Sequence, residues 1–289
     1  MPVHHPFSPA RMLSLCGLAA CLVALPAAAA PFVFSTGTPD GLMATASRPA
    51  STGNSEIESA DDFVLGSATQ ITGASFIGLL PTGLPLFDIN RVVVEIYRVF
   101  PLDSTTPPSG SVPTRVNSPS DTALETRDSS LSSLSFAVSL LTSSFTAANS
   151  VVSGIHKLPG EFTGGEGPVT GEEVAFDIHF VTPFLLNADH YFFVPQVELA
   201  SGDFLWLSAP RPIAAPGTPF TPDLQSWIRN GDLDPDWLRI GTDITHQGPF
   251  NAAFSLTGTT VTGNTVPEPA SLALLALGLA GVAFSRRRR

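Results

Sequence analysis

Residues 91–100 alternate. Val92, Val94 and Ile96 point to one side of an extended chain and Arg91, Glu95 and Tyr97 to the other, the two-residue period of a strand with one wet face. The same period returns at Leu134, Phe136, Val138 and Leu140. It returns again at Val174, Phe176, Ile178 and Phe180, set against Glu173, Asp177 and His179, and at Phe250, Ala252, Phe254 and Leu256. A chain with this period, broken every few residues by Gly, Pro, Ser and Thr, folds into sheets rather than helices.

The remaining stretches fill in the architecture. Residues 191–199 are apolar on both parities, which predicts a central strand buried on both faces. Residues 204–208 are expected to return beside it as a hairpin through Ser201-Gly202-Asp203. Residues 32–35 predict a first edge strand, and 61–65 and 71–80 two strands around a turn at Gly66. Residues 36–59 read as a long polar loop, 101–119 as an exposed excursion rich in Pro, Ser and Thr, and 160–171 as a glycine-rich acidic loop. A single helical turn is expected over 223–230, with Trp227 tucked inward. About ten strands with long loops and no repeat of fixed period predict an all-β fold, a jelly-roll-like two-sheet β-sandwich.

The two ends carry a different pattern. Residues 1–29 have a weakly basic start with Arg11, an apolar run over 12–25 and the small residues Ala27 to Ala30 where a signal peptidase cuts. Leu18-Ala19-Ala20-Cys21 allows a second reading, a lipoprotein box with Cys21 acylated. At the other end, Pro267-Glu268-Pro269 precedes an uncharged apolar run from Ala270 to Phe284, and Arg286, Arg287, Arg288 and Arg289 follow. The run predicts a transmembrane helix over 270–285, about 22 Å long at ~1.5 Å per residue, whose arginines stay cytoplasmic and hold the preceding domain outside. The triplet, the helix and the basic cluster together resemble the PEP-CTERM sorting signal of Gram-negative envelope proteins. That resemblance implies recognition by a membrane transpeptidase of the exosortase type, removal of the tail near the triplet, and transfer to the cell surface, often in exopolysaccharide producers. The expected organisation is a signal peptide over 1–29, an exported sandwich over 30–258, a linker over 259–265 and the sorting signal over 266–289. Ala60-Asp61-Asp62-Phe63 and Phe254-Ser255-Leu256-Thr257-Gly258 are similar to the ends of non-catalytic sandwich modules of secreted bacterial proteins.

Both cysteines, Cys16 and Cys21, lie in the leading segment, so the exported domain is expected to fold without disulfides. Five of the chain's 14 basic residues, Arg11 and Arg286 to Arg289, sit in the terminal segments, but of its 25 acidic residues only Glu268 does. The domain between them is therefore more acidic than the formal net charge of −11. Such a surface excludes nucleic acid as a partner class, because phosphate contacts need a positive patch. It is compatible with divalent cations, with neutral glycans, or with nothing more than solubility.

Several side chains are candidates for chemistry. Asp232, Asp234 and Asp236 are spaced like the oxygen ligands of a calcium loop, but Trp237 stands where a sharp turn needs glycine, so a solvating Asp-rich turn is the competing reading. Glu56, Glu58, Asp61 and Asp62 form a second acidic group. Asp177 with His179 and Asp189 with His190 are pairs suited to proton transfer or metal binding. Trp206, Trp227 and Trp237, with Tyr97 and Tyr191, are candidate stacking platforms for sugar rings or, alternatively, core aromatics. No Gly-x-Ser-x-Gly elbow, His-Glu-x-x-His helix or phosphate loop is present. The reading is a non-catalytic envelope or biofilm-matrix protein binding glycan or calcium. The alternative is a secreted polysaccharide hydrolase whose carboxylates come from distant loops.

Overall fold

Three of the four alternating stretches lie in single strands in the computed structural model, which describes residues 29–105, 110–156 and 161–261; the fourth is split at Ala253 into Asn251–Ala252 and Phe254–Thr260, and Phe250 lies in neither. The expected signal peptide up to residue 28, the triplet Pro267, Glu268 and Pro269, the helix over 270–285 and Arg286 to Arg289 lie outside the described residues. Among the described residues no helix is long and apolar enough to cross a membrane.

The strands are Pro31–Ser35 (β1), Met43–Ala46 (β2), Ile57–Leu65 (β3), Thr69–Leu80 (β4), Ile89–Arg98 (β5), Glu125–Asp128 (β6), Leu134–Ala147 (β7) and Asn149–Val151 (β8). Val169–Leu186 (β9), Asp189–Leu199 (β10), Leu205–Ala209 (β11), Trp227–Asn230 (β12), Leu238–Arg239 (β13), Asn251–Ala252 (β14) and Phe254–Thr260 (β15) follow. They form two sheets. In the first, β4 is the hub: one edge pairs with β9, which carries β7 outside it, and the other is shared between β15 and β11. The second runs β13-β12-β3-β10-β5-β6. Every pairing within the sheets is antiparallel except β2 with β8.

The inner faces of the two sheets meet in an aromatic core. Phe76 stacks on Phe176 at 4.8 Å, and Phe204 sets its edge against both. Phe193 stacks on Phe254 at 5.0 Å, and Trp206 turns its edge to both. Offset and edge-on pairs of this kind add to the stabilisation from burial alone. Close backbone approach makes the packing possible at Gly78 in β4, where a Cβ would lie 2.2 Å from the Phe204 ring and 2.6 Å from the Leu205 carbonyl oxygen. Gly78→Ala should therefore destabilise the chain by about 1–3 kcal/mol, read as a lower urea midpoint at unchanged slope. A midpoint equal to that of the native chain would contradict this packing.

Two expectations hold closely: β1 is an edge strand, and β10 lies between β3 and β5 with both faces buried. Others are corrected. The expected loop over 36–59 contains β2, which is entirely buried, and the first residues of β3. β2 lies beside β11 and β8, and its Ala44 and Ala46 are buried in one apolar cluster with Leu205, Leu207 and Val151, so small side chains here belong to the core. Residues 204–208 do not pair with β10, because Ser201-Gly202-Asp203 carries the chain from the second sheet to the first. The helical turn over 223–230 is replaced by β12, since the open edge of β3 claims Trp227 to Asn230 by backbone pairing. The helical elements described are the 3-10 turns Leu86–Asp88 and Ser129–Leu131 and a π-turn at Ile240–Ile244.

The wet face expected for β5 is also absent. Tyr97 joins Trp227, Trp237 and Leu224 in a second apolar cluster on the outer face of the sheet, with the Trp237 ring 5.5 Å away. The excursion over 101–119 is only partly exposed, because Val112 and Arg115 are buried. Finally, β15 runs to Thr260, two residues into the stretch expected as linker.

Candidate functional site

The three tryptophans are interior residues, between 0 and 1% exposed. The Trp206 Nε1–H donates to the Ala253 carbonyl at 3.0 Å, and that of Trp237 to the Ser120 carbonyl at 3.1 Å. Tyr97 and Tyr191 are buried as well. The expectation of sugar-stacking platforms at Trp206, Trp227 and Trp237 is overturned, because each indole closes a packed layer and presents no face to solvent.

The calcium loop is likewise not formed. Asp232 is exposed, Asp234 turns to Arg229 Nη1 at 2.8 Å, and Asp236 is buried against Arg115 Nη1 at 2.9 Å. Two of the three carboxylates serve different guanidinium groups, so they do not converge on one ion.

The second acidic group splits in two. Asp61 is fully buried and accepts from Ser226 Oγ at 2.9 Å and the Ala252 N–H at 2.8 Å. Burial first, and then the charge of Asp62, push its carboxyl well above the usual range. Asp62 accepts from the Leu224 N–H and lies 2.6 Å from His190 Nε2. The partner of the His190 ring is therefore Asp62, on the neighbouring strand, and not Asp189. Asp177 and His179 are exposed on the outer face of β9.

Glu56 and Glu58 join a residue that sequence reasoning passed over, Glu95 of β5. Each of the three places a carboxylate oxygen within 4.8 Å of the others, the one such cluster among the described residues. Glu58 comes from β3, Glu95 and Tyr97 from β5 and Arg229 from β12, so the network ties three strands of the second sheet together. The Tyr97 hydroxyl lies 2.6 Å from Glu58 Oε1 and 3.1 Å from Glu95 Oε2, and it accepts from Arg229 Nη2 at 2.8 Å. Arg229 Nε pairs with Glu58 Oε2, and the guanidinium lies 4.4 Å from the centre of the Trp237 ring. Gln196 donates to Glu56 at 3.0 Å and Thr126 to Glu95 at 3.0 Å.

The chemistry of this network turns on a proton. A phenol has one hydrogen and serves one carboxylate at a time. With the Tyr97 hydrogen on Glu58, a proton held by Glu95 completes the contact between Glu95 and the phenol oxygen. Glu95 is built to keep it: burial first, and then the charge of Glu58, push it up to about 7. Burial, followed by the charge of Glu58, also raises Glu56. Burial and then Glu58 raise Tyr97, so the phenol stays neutral. Three convergent carboxylates also suit a hard cation, but Glu58 is already committed to Arg229 and Tyr97. The only sign of Glu95 in the sequence is an acid set between Val94 and Ile96 in the clearest strand.

No curated protein and no solved structure matches the chain. A protein-family model does, over residues 265–289 at the C-terminus. It covers the triplet, the apolar run and the arginines, and it implies export, a membrane-anchored C-terminal signal and recognition by an exosortase, itself a membrane protein. The chain carries the PEP-CTERM protein-sorting motif.

Proposed function

We propose that this is a surface-sorted protein of the cell envelope or biofilm matrix, in which the sandwich is the displayed and non-catalytic part. The observation that carries the reading is the sorting motif at 265–289. An exosortase would release the domain near Pro267, Glu268 and Pro269 while Arg286 to Arg289 hold the tail on the cytoplasmic side. A signal peptide over 1–29 would begin the export. The chain passes from the second sheet at β3 to the first at β4 and back at β5, which supports a jelly-roll-like arrangement of the sandwich. Commitment of Glu58 to Arg229, and burial of the tryptophans, support a displayed scaffold over a hydrolase cleft. Extracellular polysaccharide is the partner class that suits the acidic domain and the sorting route.

The test is the fate of the tail in the producing cell. Mass spectrometry of surface-released protein is expected to find chains ending near the triplet. Replacing Pro267, Glu268 and Pro269 together by Ala should move most of the protein from the released to the inner-membrane fraction. Released protein still ending in Arg289 would overturn the processing step.

A further inference from the structure

The outer edge of the first sheet is the longest unguarded strand edge in the described residues. β7 pairs with β9 on one side only, which leaves alternate backbone N–H and C=O groups of a 14-residue strand facing outward. Natural sheets blunt such edges with charge or proline. Residues 129–155 contain no Asp, Glu, Lys, Arg or Pro, although the chain around them is strongly acidic.

The strand also has an internal symmetry. Its regular half, before the first register shift against β9, is Leu134-Ser135-Phe136-Ala137-Val138-Ser139-Leu140, which reads the same in both directions except for Phe136 and Val138. Laid antiparallel on a second copy about a two-fold axis at Ala137, it sets Leu134 opposite Leu140, Ser135 opposite Ser139, Phe136 opposite Val138 and Ala137 opposite itself. Residues opposite one another in an antiparallel pair share a face, so apolar meets apolar on the core side and serine meets serine on the wet side. Leu140 is 50% exposed in the single chain, and Phe136 and Val138 are only half-buried. All three gain cover in the pair.

We propose that the β7 edge is a homotypic interface, in which residues 134–140 of two copies pair antiparallel and continue the first sheet across both. The nearest ionisable side chains on the wet face are Asp177 and His179, one strand inward on β9, opposite Ala137 and Ser135. They do not face their own copies directly. An isologous contact of this type uses both β7 edges and closes at a dimer. The register shifts after Leu140 and Thr142 bend the rest of the strand away and confine the contact.

The experiment uses the full chain in mild nonionic detergent, with Cys16→Ser and Cys21→Ser as background. Sedimentation is expected to show a dimer, and Ala137→Lys should weaken it at least about tenfold by setting like charges across the axis. Opposed Cα atoms lie roughly 4.5–5.5 Å apart, within disulfide range. Ala137→Cys should therefore cross-link on mild oxidation, whereas Ser135→Cys should cross-link only when Ser139→Cys is added. A tail-driven dimer would ignore Ala137→Lys. A monomeric native chain, or equal cross-linking of Ala137→Cys and Ser135→Cys, would overturn the proposal. Circular dichroism establishes whether Ala137→Lys folds, and the cysteine pattern decides if it does not.

Discussion

Raising the pH from 5 to 8 is expected to cost the folded domain about 2 kcal/mol through Glu95 alone. The sign follows from which state holds the proton. Unfolded, this carboxyl titrates near 4.5; folded, it titrates at about 7 because it is buried beside Glu58. Across that interval the folded chain binds a proton that the unfolded chain has released. Stability is thus fully present below the unfolded pKa and falls as pH rises through the folded one. Glu56 and Asp61 are raised as well and push in the same direction. Asp103, lowered by its hydrogen bond with Arg98, has the opposite sign but acts only in more acid solution.

Glu95→Gln mimics the protonated acid, since its amide still accepts from Thr126 and donates toward Tyr97. It should remove most of the slope and leave the variant about 3 kcal/mol more stable than the native chain at pH 8. Urea unfolding at four pH values checks both statements. A native chain whose stability is level from pH 5 to 8, or a variant with an undiminished slope, would refute the proton assignment.

The second large effect is expected at Arg115. Its side chain is 1% exposed and lies 2.9 Å from both Asp121 and Asp236, themselves 6% and 3% exposed, with Phe100 4.7 Å below the guanidinium. Arg115→Ala strips the cation from two buried carboxylates and should destabilise by about 3–5 kcal/mol. Adding Asp121→Asn and Asp236→Asn to the variant should return part of the loss, because the neutral amides no longer need a counter-charge. A loss below about 1 kcal/mol, the range of an exposed pair, would mean that the triad is wet. The residue sits in the stretch that composition marks as an exposed excursion.

That mismatch shows what kind of information a sequence holds. Strand period is local: residues two apart share a face whatever surrounds them, so β4, β5, β7, β9 and β15 were legible from side-chain order. The sorting motif at the C-terminus was legible for the same reason, being a contiguous run. Whether the second face of a strand is wet is not local. Tyr97 is dry because Trp237, more than a hundred residues away, sets its ring against it at 5.5 Å, and nothing in residues 91–100 encodes that return. The candidate site follows the same rule. Glu58 and Glu95 meet only because β10 stands between β3 and β5.

The sequence by itself determined that this chain is built of strands and carries an address at its C-terminus, because periodicity and composition act over a few residues. Only the tertiary structure decided which acids keep a proton, which aspartates belong to arginines and which aromatics are core. Burial and charge balance are sums over segments that the chain brings together from far apart.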